Sequence, residues 1–195
     1  MSSFVRLSGA YESGPAETAD IQALAALEAE SFPEDEAASE VTIRNRQTVA
    51  NRYFYTVKDD CGRIVGFVNG TCAHGLTIHH ESMSEHIPDG KTLVIHSVTV
   101  APSHRRKGLG SSMLQAYVET MVKDRPEIEL ILLLSKGYLL KFYASCGFSL
   151  VEMSSVQHGK VRRPIMGYFA SPFCNVNLGF TLLWRVFERR KIGLR

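Results

Sequence analysis

The stretch KTLVIHSVTVAPSHRRKGLGS, residues 91–111, decides the fold. Its first ten residues are apolar or β-branched at both odd and even positions. A strand patterned that way has both faces covered, so it belongs in the middle of a sheet. Ala101-Pro102-Ser103-His104 then reads as a turn. From Gly108 to Lys123 the apolar residues Leu109, Met113, Tyr117 and Met121 recur every four positions, the spacing of one helix face. The segment is therefore a buried strand that runs through a basic, glycine-containing turn into an amphipathic helix.

Outward from it, residues 129–134 read as a second buried strand and residues 137–145 as a short helix. Cys146-Gly147-Phe148 turns into a further strand. Strand, helix, strand, helix, strand is the alternation of a layered α/β domain. Towards the N-terminus, residues 53–57 and 64–72 form a hairpin around Asp59-Asp60-Cys61-Gly62. This half is antiparallel in character, so the expected sheet is mixed. Before it, Thr18 caps a helix with Ile21, Leu24, Leu27 and Phe32 on one face. Pro33 ends that helix, Glu34, Asp35 and Glu36 form an acidic turn, and a second helix covers about 39–51. Residues 4–7 are a short strand, and 74–90 a long irregular loop. We expect one domain over residues 1–170. Residues 171–195, apolar with a basic end, are expected to form an atypical extension packed on it.

Hydrophobic residues make up 45% of the 195 and charged residues 22%, enough for a core and a soluble surface. A net charge of +2 is too mild to argue for a nucleic-acid partner. The four cysteines form no C-x-x-C pair, and the N-terminus has no signal-type apolar run. No window is long enough for an integral membrane span. The expected state is a reduced cytoplasmic protein, a monomer or weak dimer. His74, His79, His80 and His86 match no metal spacing, so no metal is expected.

Arg105, Arg106 and Lys107 sit just before Gly108-Leu109-Gly110-Ser111. Glycines let the backbone approach a ligand closely, and the first N–H groups of a helix have no internal partner. Such a helix start favours a phosphate or pyrophosphate. Neither G-x-x-x-x-G-K-[ST] nor G-x-G-x-x-G is present.

Arg105-x-x-Gly108-x-Gly110 resembles the R/Q-x-x-G-x-G/A signature of the GNAT acetyltransferase superfamily. Residues 142–148, Phe-Tyr-Ala-Ser-Cys-Gly-Phe, resemble the segment that closes that domain. Together with residues 93–100 and Glu30-Ser31-Phe32-Pro33, they are similar to the arylalkylamine (serotonin) N-acetyltransferase branch of the fungal type. Residues from 166 onward depart from the branch's usual ending. The resemblance implies a mixed, mostly antiparallel sheet in which strands 91–100 and 129–134 lie parallel and splay to admit acetyl-CoA. It implies backbone contacts from Val98, Thr99 and Val100 to the pantetheine and from Arg106 to Ser111 to the pyrophosphate. The Val98 N–H is then an oxyanion donor.

The implied reaction is acetyl transfer to a small primary amine by direct attack in a ternary complex. Arylalkylamines such as tryptamine, serotonin or phenylethylamine are the leading acceptors; polyamine or protein acceptors, or a non-catalytic acyl-CoA-binding domain, are the alternatives. An alkylammonium must lose a proton first. His96 is the candidate acceptor of that proton, because histidine titrates near working pH. The branch has a second histidine where this chain has Val94, so the onward path of the proton is left to water. Tyr143 falls on the tyrosine the branch places near sulfur and is the candidate donor to the departing thiolate, as well as a contact to the cosubstrate. Phe32, Pro33 and Glu34, with His96, are the expected substrate contacts, and the carboxylates of the acidic turn are expected to attract a cationic amine.

Overall fold

The computed structural model describes residues 5–7, 10–79, 82, 85–158 and 161–170. The extension expected over 171–195 lies outside the described residues. Strands β1 (Val5–Arg6), β2 (Glu12–Pro15), β3 (Phe54–Lys58), β4 (Ile64–Ala73), β5 (Thr92–Val100), β6 (Leu130–Leu134), β7 (Ser149–His158) and β8 (Val161–Phe169) form one sheet. Its order is β1-β2-β3-β4-β5-β6-β8-β7. The β5–β6 pair is parallel and every other described pair is antiparallel. This is the mixed sheet that the sequence implied.

The doubly apolar strand takes the central place its pattern required, with β4 on one side and β6 on the other. Helix α3 (Leu109–Asp124) buries Leu109, Met113, Leu114, Tyr117, Val118 and Met121. They pack with Val68, Leu93 and Ile131 of the sheet. Helices α1 (Ile21–Ser31) and α2 (Glu40–Val49) build a separate cluster, in which Leu24 and Ile43 meet Phe54 and Phe67. Ser39 caps α2 by accepting the Thr42 N–H at 3.2 Å. Helix α4 (Leu140–Ser145) follows β6.

Two elements differ from the sequence expectation. Strand β2 has the sequence Glu-Ser-Gly-Pro, without the β-branched or aromatic residues that signal a strand. Pairing with β3 makes it one. The chain from 161 also returns as a full strand, β8, seated between β6 and β7 and ending at Phe169. Among the described residues no helix is long and apolar enough to cross a membrane.

Candidate active site

Parallel pairing of β5 with β6 extends only from Thr92↔Leu130 to Ile95↔Leu133. Strand β5 then runs on to Val100 while β6 stops at Leu134, so residues 96–100 lose their neighbour on that side. The backbone groups of that edge are available to a ligand that lies alongside like an added strand. A cleft of about 620 Å3 opens there.

His96, Val98, Thr99 and Val100 form one wall of this cleft. The register explains why His96 stands out. Thr71 pairs with Val94 and Gly70 with Ile95, but Asn69 pairs with Ser97. His96 is the extra residue of a β-bulge, a feature that re-aims a side chain. Its Nε2 lies 2.7 Å from the Thr71 hydroxyl of β4.

One end of the cleft is the start of α3. Gly108 sits at the helix N-cap in the left-handed region, φ +82°, and no side chain caps the helix. Arg106 is also left-handed, at φ 62°. Two successive reversals turn the chain so that Gly108, Gly110 and Ser111 line the cleft. The uncapped amides at the positive end of a 16-residue helix suit an anion. Arg105 is occupied differently: its Nε donates to the Val100 carbonyl at 2.8 Å and its NH2 to Ser31 Oγ at 3.0 Å. It ties β5 to the end of α1. Lys107 Nζ likewise donates to the Ser103 carbonyl at 2.9 Å.

Tyr143 of α4 lines the opposite wall and is 7% exposed. Phe142 and Phe148 hold its ring edge-on at 5.0 and 6.1 Å. Burial, with Cys146 and Tyr138 nearby, pushes its hydroxyl well above the ordinary tyrosine value, so it keeps its proton. Burial also pushes the Cys146 thiol up, which opposes thiolate chemistry there.

At the other end, Phe32 lines the cleft, whereas Pro33 and Glu34 are exposed and lie outside the lining. Of the acidic turn, Glu36 alone folds inward. Its carboxylate pairs with Lys136 at 2.8 Å and with Arg163, all three side chains being at most 25% exposed. Burial acts to raise Glu36, but the hydrogen bonds and charges of Lys136 and Arg163 outweigh it and hold the carboxyl below its usual range. The carboxylate is thus already matched by two cations rather than open to an amine. Lys136 and Arg163 themselves face the cleft. Neither they nor Thr71 carried a sequence signal; they meet the site only through strand pairing and long-range folding. Of the histidine group, His86 Nδ1 accepts the Cys72 N–H at 3.1 Å, while His80 lies outside the described residues.

The profile described as "Acetyltransferase (GNAT) family" matches residues 21–148. Serotonin N-acetyltransferase of Mesocricetus auratus is 29% identical over 100 residues, 51% of this chain and 48% of that protein. The match therefore spans about half of the curated relative's length. Among solved structures, the GphF GNAT-like decarboxylase in complex with isobutyryl-CoA has a TM-score of 0.72 at 22% identity, covering 82% of this chain and 99% of that one. The loading GNATL domain of CurA from Lyngbya majuscula has a TM-score of 0.73 at 14% identity, covering 83% and 98%. At these identities the structural likeness is one of fold.

Proposed function

The chain belongs to the GNAT acetyltransferase family, and from that premise we propose that it moves an acetyl group from acetyl-CoA to a small primary amine in a ternary complex. One observation carries the reading. The free edge of β5 and the uncapped start of α3 border a single cleft, so one ligand with an extended amide arm and a diphosphate can satisfy both.

In this reading the amides of Gly108, Gly110 and Ser111 hold the pyrophosphate, with Arg106 adding charge. Residues 98–100 bind the pantetheine amides, and the Val98 N–H faces the carbonyl oxygen where negative charge develops. His96 takes a proton from the amine, whose nitrogen then bonds to the acetyl carbon. As the carbon–sulfur bond breaks, Tyr143 gives its proton to the sulfur and regains one from the bonded nitrogen, which sheds its second proton as the amide forms. Burial keeps that hydroxyl protonated, so a proton is present for the sulfur to take.

The finer choice is an arylalkylamine. It is supported by the partial similarity to a serotonin N-acetyltransferase and by the aromatic lining from Phe32, Tyr138 and Phe142. Polyamines fit less well, because the charged residues of the lining are Arg105, Arg106, Lys136 and Arg163, all cationic. The test is CoA thiol release from acetyl-CoA with tryptamine, phenylethylamine, spermidine or a peptide, against a control without amine. The expected result is faster release with the aromatic amines than with spermidine or peptide. Tight acetyl-CoA binding without turnover on any amine overturns the reading in favour of a binding domain.

A further inference from the structure

We propose that Thr71 is a positioning residue for His96, its hydroxyl holding the imidazole in place while the ring gains and loses the amine proton. The inference rests on the reading of His96 as proton acceptor. It adds a group from a neighbouring strand that stands, in register, opposite Val94.

The geometry starts from the bulge. Side chains in a regular ladder are directed by the alternation of the strand, but a bulged residue is released from it. The direction of the His96 ring is therefore set by what it bonds to rather than by the ladder alone. Strand β4 supplies that partner by pressing close. At Gly70 a Cβ atom would come within 2.7 Å of the Val94 carbonyl oxygen and 2.9 Å of Leu93 Cδ1. Glycine at that position lets the two backbones approach. The next residue, Thr71, is 2% exposed, and its Oγ1 lies 2.7 Å from His96 Nε2. Its other oxygen neighbour, the Ser82 carbonyl, is at 3.5 Å, the far limit for such a bond. The well-formed contact of this buried hydroxyl is thus the histidine.

The hydroxyl oxygen can accept from Nε2–H, which fixes the neutral ring in the tautomer whose Nδ1 lone pair takes the proton. The same bond persists when the ring is charged, because Nε2 keeps its hydrogen in both states. The bond to the charged imidazolium is the stronger of the two, since charge-assisted hydrogen bonds exceed neutral ones. Loss of the hydroxyl therefore lowers the pKa of His96. The other charged or titratable groups around this part of the molecule are Tyr143 on α4, Lys136 after β6, and Arg163 on β8 with its Glu36. His79 lies on the loop beside Ser82, Glu28 on α1 accepts from Ser97 and Thr99 of β5, and Arg46 on α2 donates to Asn69 of β4. The Thr71 hydroxyl contacts His96 and the Ser82 carbonyl rather than any of these groups.

The experiment compares Thr71→Val, Thr71→Ala and Thr71→Ser with His96→Ala, reading kcat, the KM for acetyl-CoA and the pH profile of kcat/KM. The expected result for Thr71→Val is a roughly tenfold fall in kcat, a KM for acetyl-CoA within twofold, and an acid limb moved to lower pH. Thr71→Ser restores both the rate and the limb. Thr71→Ala repeats the effect of Thr71→Val with no added methyl, which keeps the test open if the valine variant folds poorly. Wild-type kcat and an unmoved limb in the valine and alanine variants, beside a changed profile in His96→Ala, overturn the role of Thr71 alone. An unchanged profile in His96→Ala overturns the role of His96 and the inference with it.

Discussion

At Gly108 the chain turns through φ +82° with nothing within 4 Å of the place a Cβ would occupy. Crowding is therefore not what demands glycine; the left-handed backbone is. An L-residue there costs about 1–2 kcal/mol. Gly108→Ala is expected to weaken acetyl-CoA binding by roughly fivefold or more, measured by calorimetry, because relief of the strain moves the amides that face the cleft. Tyr143 makes a second residue-scale case. Tyr143→Phe keeps the edge-on packing against Phe142 and Phe148 and removes only the hydroxyl. A fall in kcat of about 10²-fold is expected, with little change in the KM for acetyl-CoA. Equal kcat values would remove Tyr143 as the proton donor. Both residues were legible in the sequence because they stand in short motifs that resemble the family's, Arg105-x-x-Gly108-x-Gly110 and residues 142–148, each within a continuous segment. Thr71 was not, since the register that sets it against His96 is a property of two strands 25 residues apart.

The elements are joined beneath the site by a buried polar group that the helix pattern concealed. On α1, Ile21, Leu24 and Leu27 gave a readable apolar face, yet the next residue on that face is Glu28, only 2% exposed. It accepts from the Ala38 N–H at 3.2 Å, from Ser97 Oγ at 3.0 Å and from Thr99 Oγ1 at 3.3 Å. Arg46 of α2, pushed down to about 10 by burial, is its charged neighbour. Glu28 thus joins α1, the turn before α2 and the central strand. Binary patterning could not show this, because a charged residue on a helix is normally read as solvated. Glu28→Ala removes the buried acceptor of three hydrogen bonds and the carboxylate that faces Arg46, and should destabilise by about 3–5 kcal/mol in denaturant melts. Glu28→Gln keeps an acceptor and should cost clearly less. Burial raises Glu28 against the pull of those hydrogen bonds and of Arg46, so the folded state holds its proton more readily than the unfolded chain. Its stabilising effect is present in acid and is lost as pH rises through the folded pKa.

Across the whole molecule the opposite dependence comes from Glu36, which joins the turn after α1 to the chain following β6 and to β8. Its partners lie 100 and 127 positions away in the chain, which is why the acidic run from Glu34 to Glu36 read as an acidic turn open to a cationic amine. Folding separates the three: Glu34 and Asp35 stay exposed, and Glu36 turns in between Lys136 and Arg163. A folded pKa below the ordinary 4.5 means that this contribution is complete at neutral pH and disappears as pH falls through the folded value. Glu36→Gln removes the negative member and leaves two cations facing each other at the cleft. With side chains 15–25% exposed, the expected cost is about 1–3 kcal/mol at pH 7. The difference from the parent should shrink as pH falls through the folded pKa of Glu36, where the parent's carboxylate takes up its proton. Denaturant melts from pH 3 to 8 on the parent, Glu36→Gln and Glu28→Gln separate the two acids, because their contributions run in opposite directions with pH. A Glu36→Gln penalty that stays constant across that range would show that the carboxylate acts by shape rather than by charge, and the ion triad would no longer explain how the α1–α2 turn is held over the cleft.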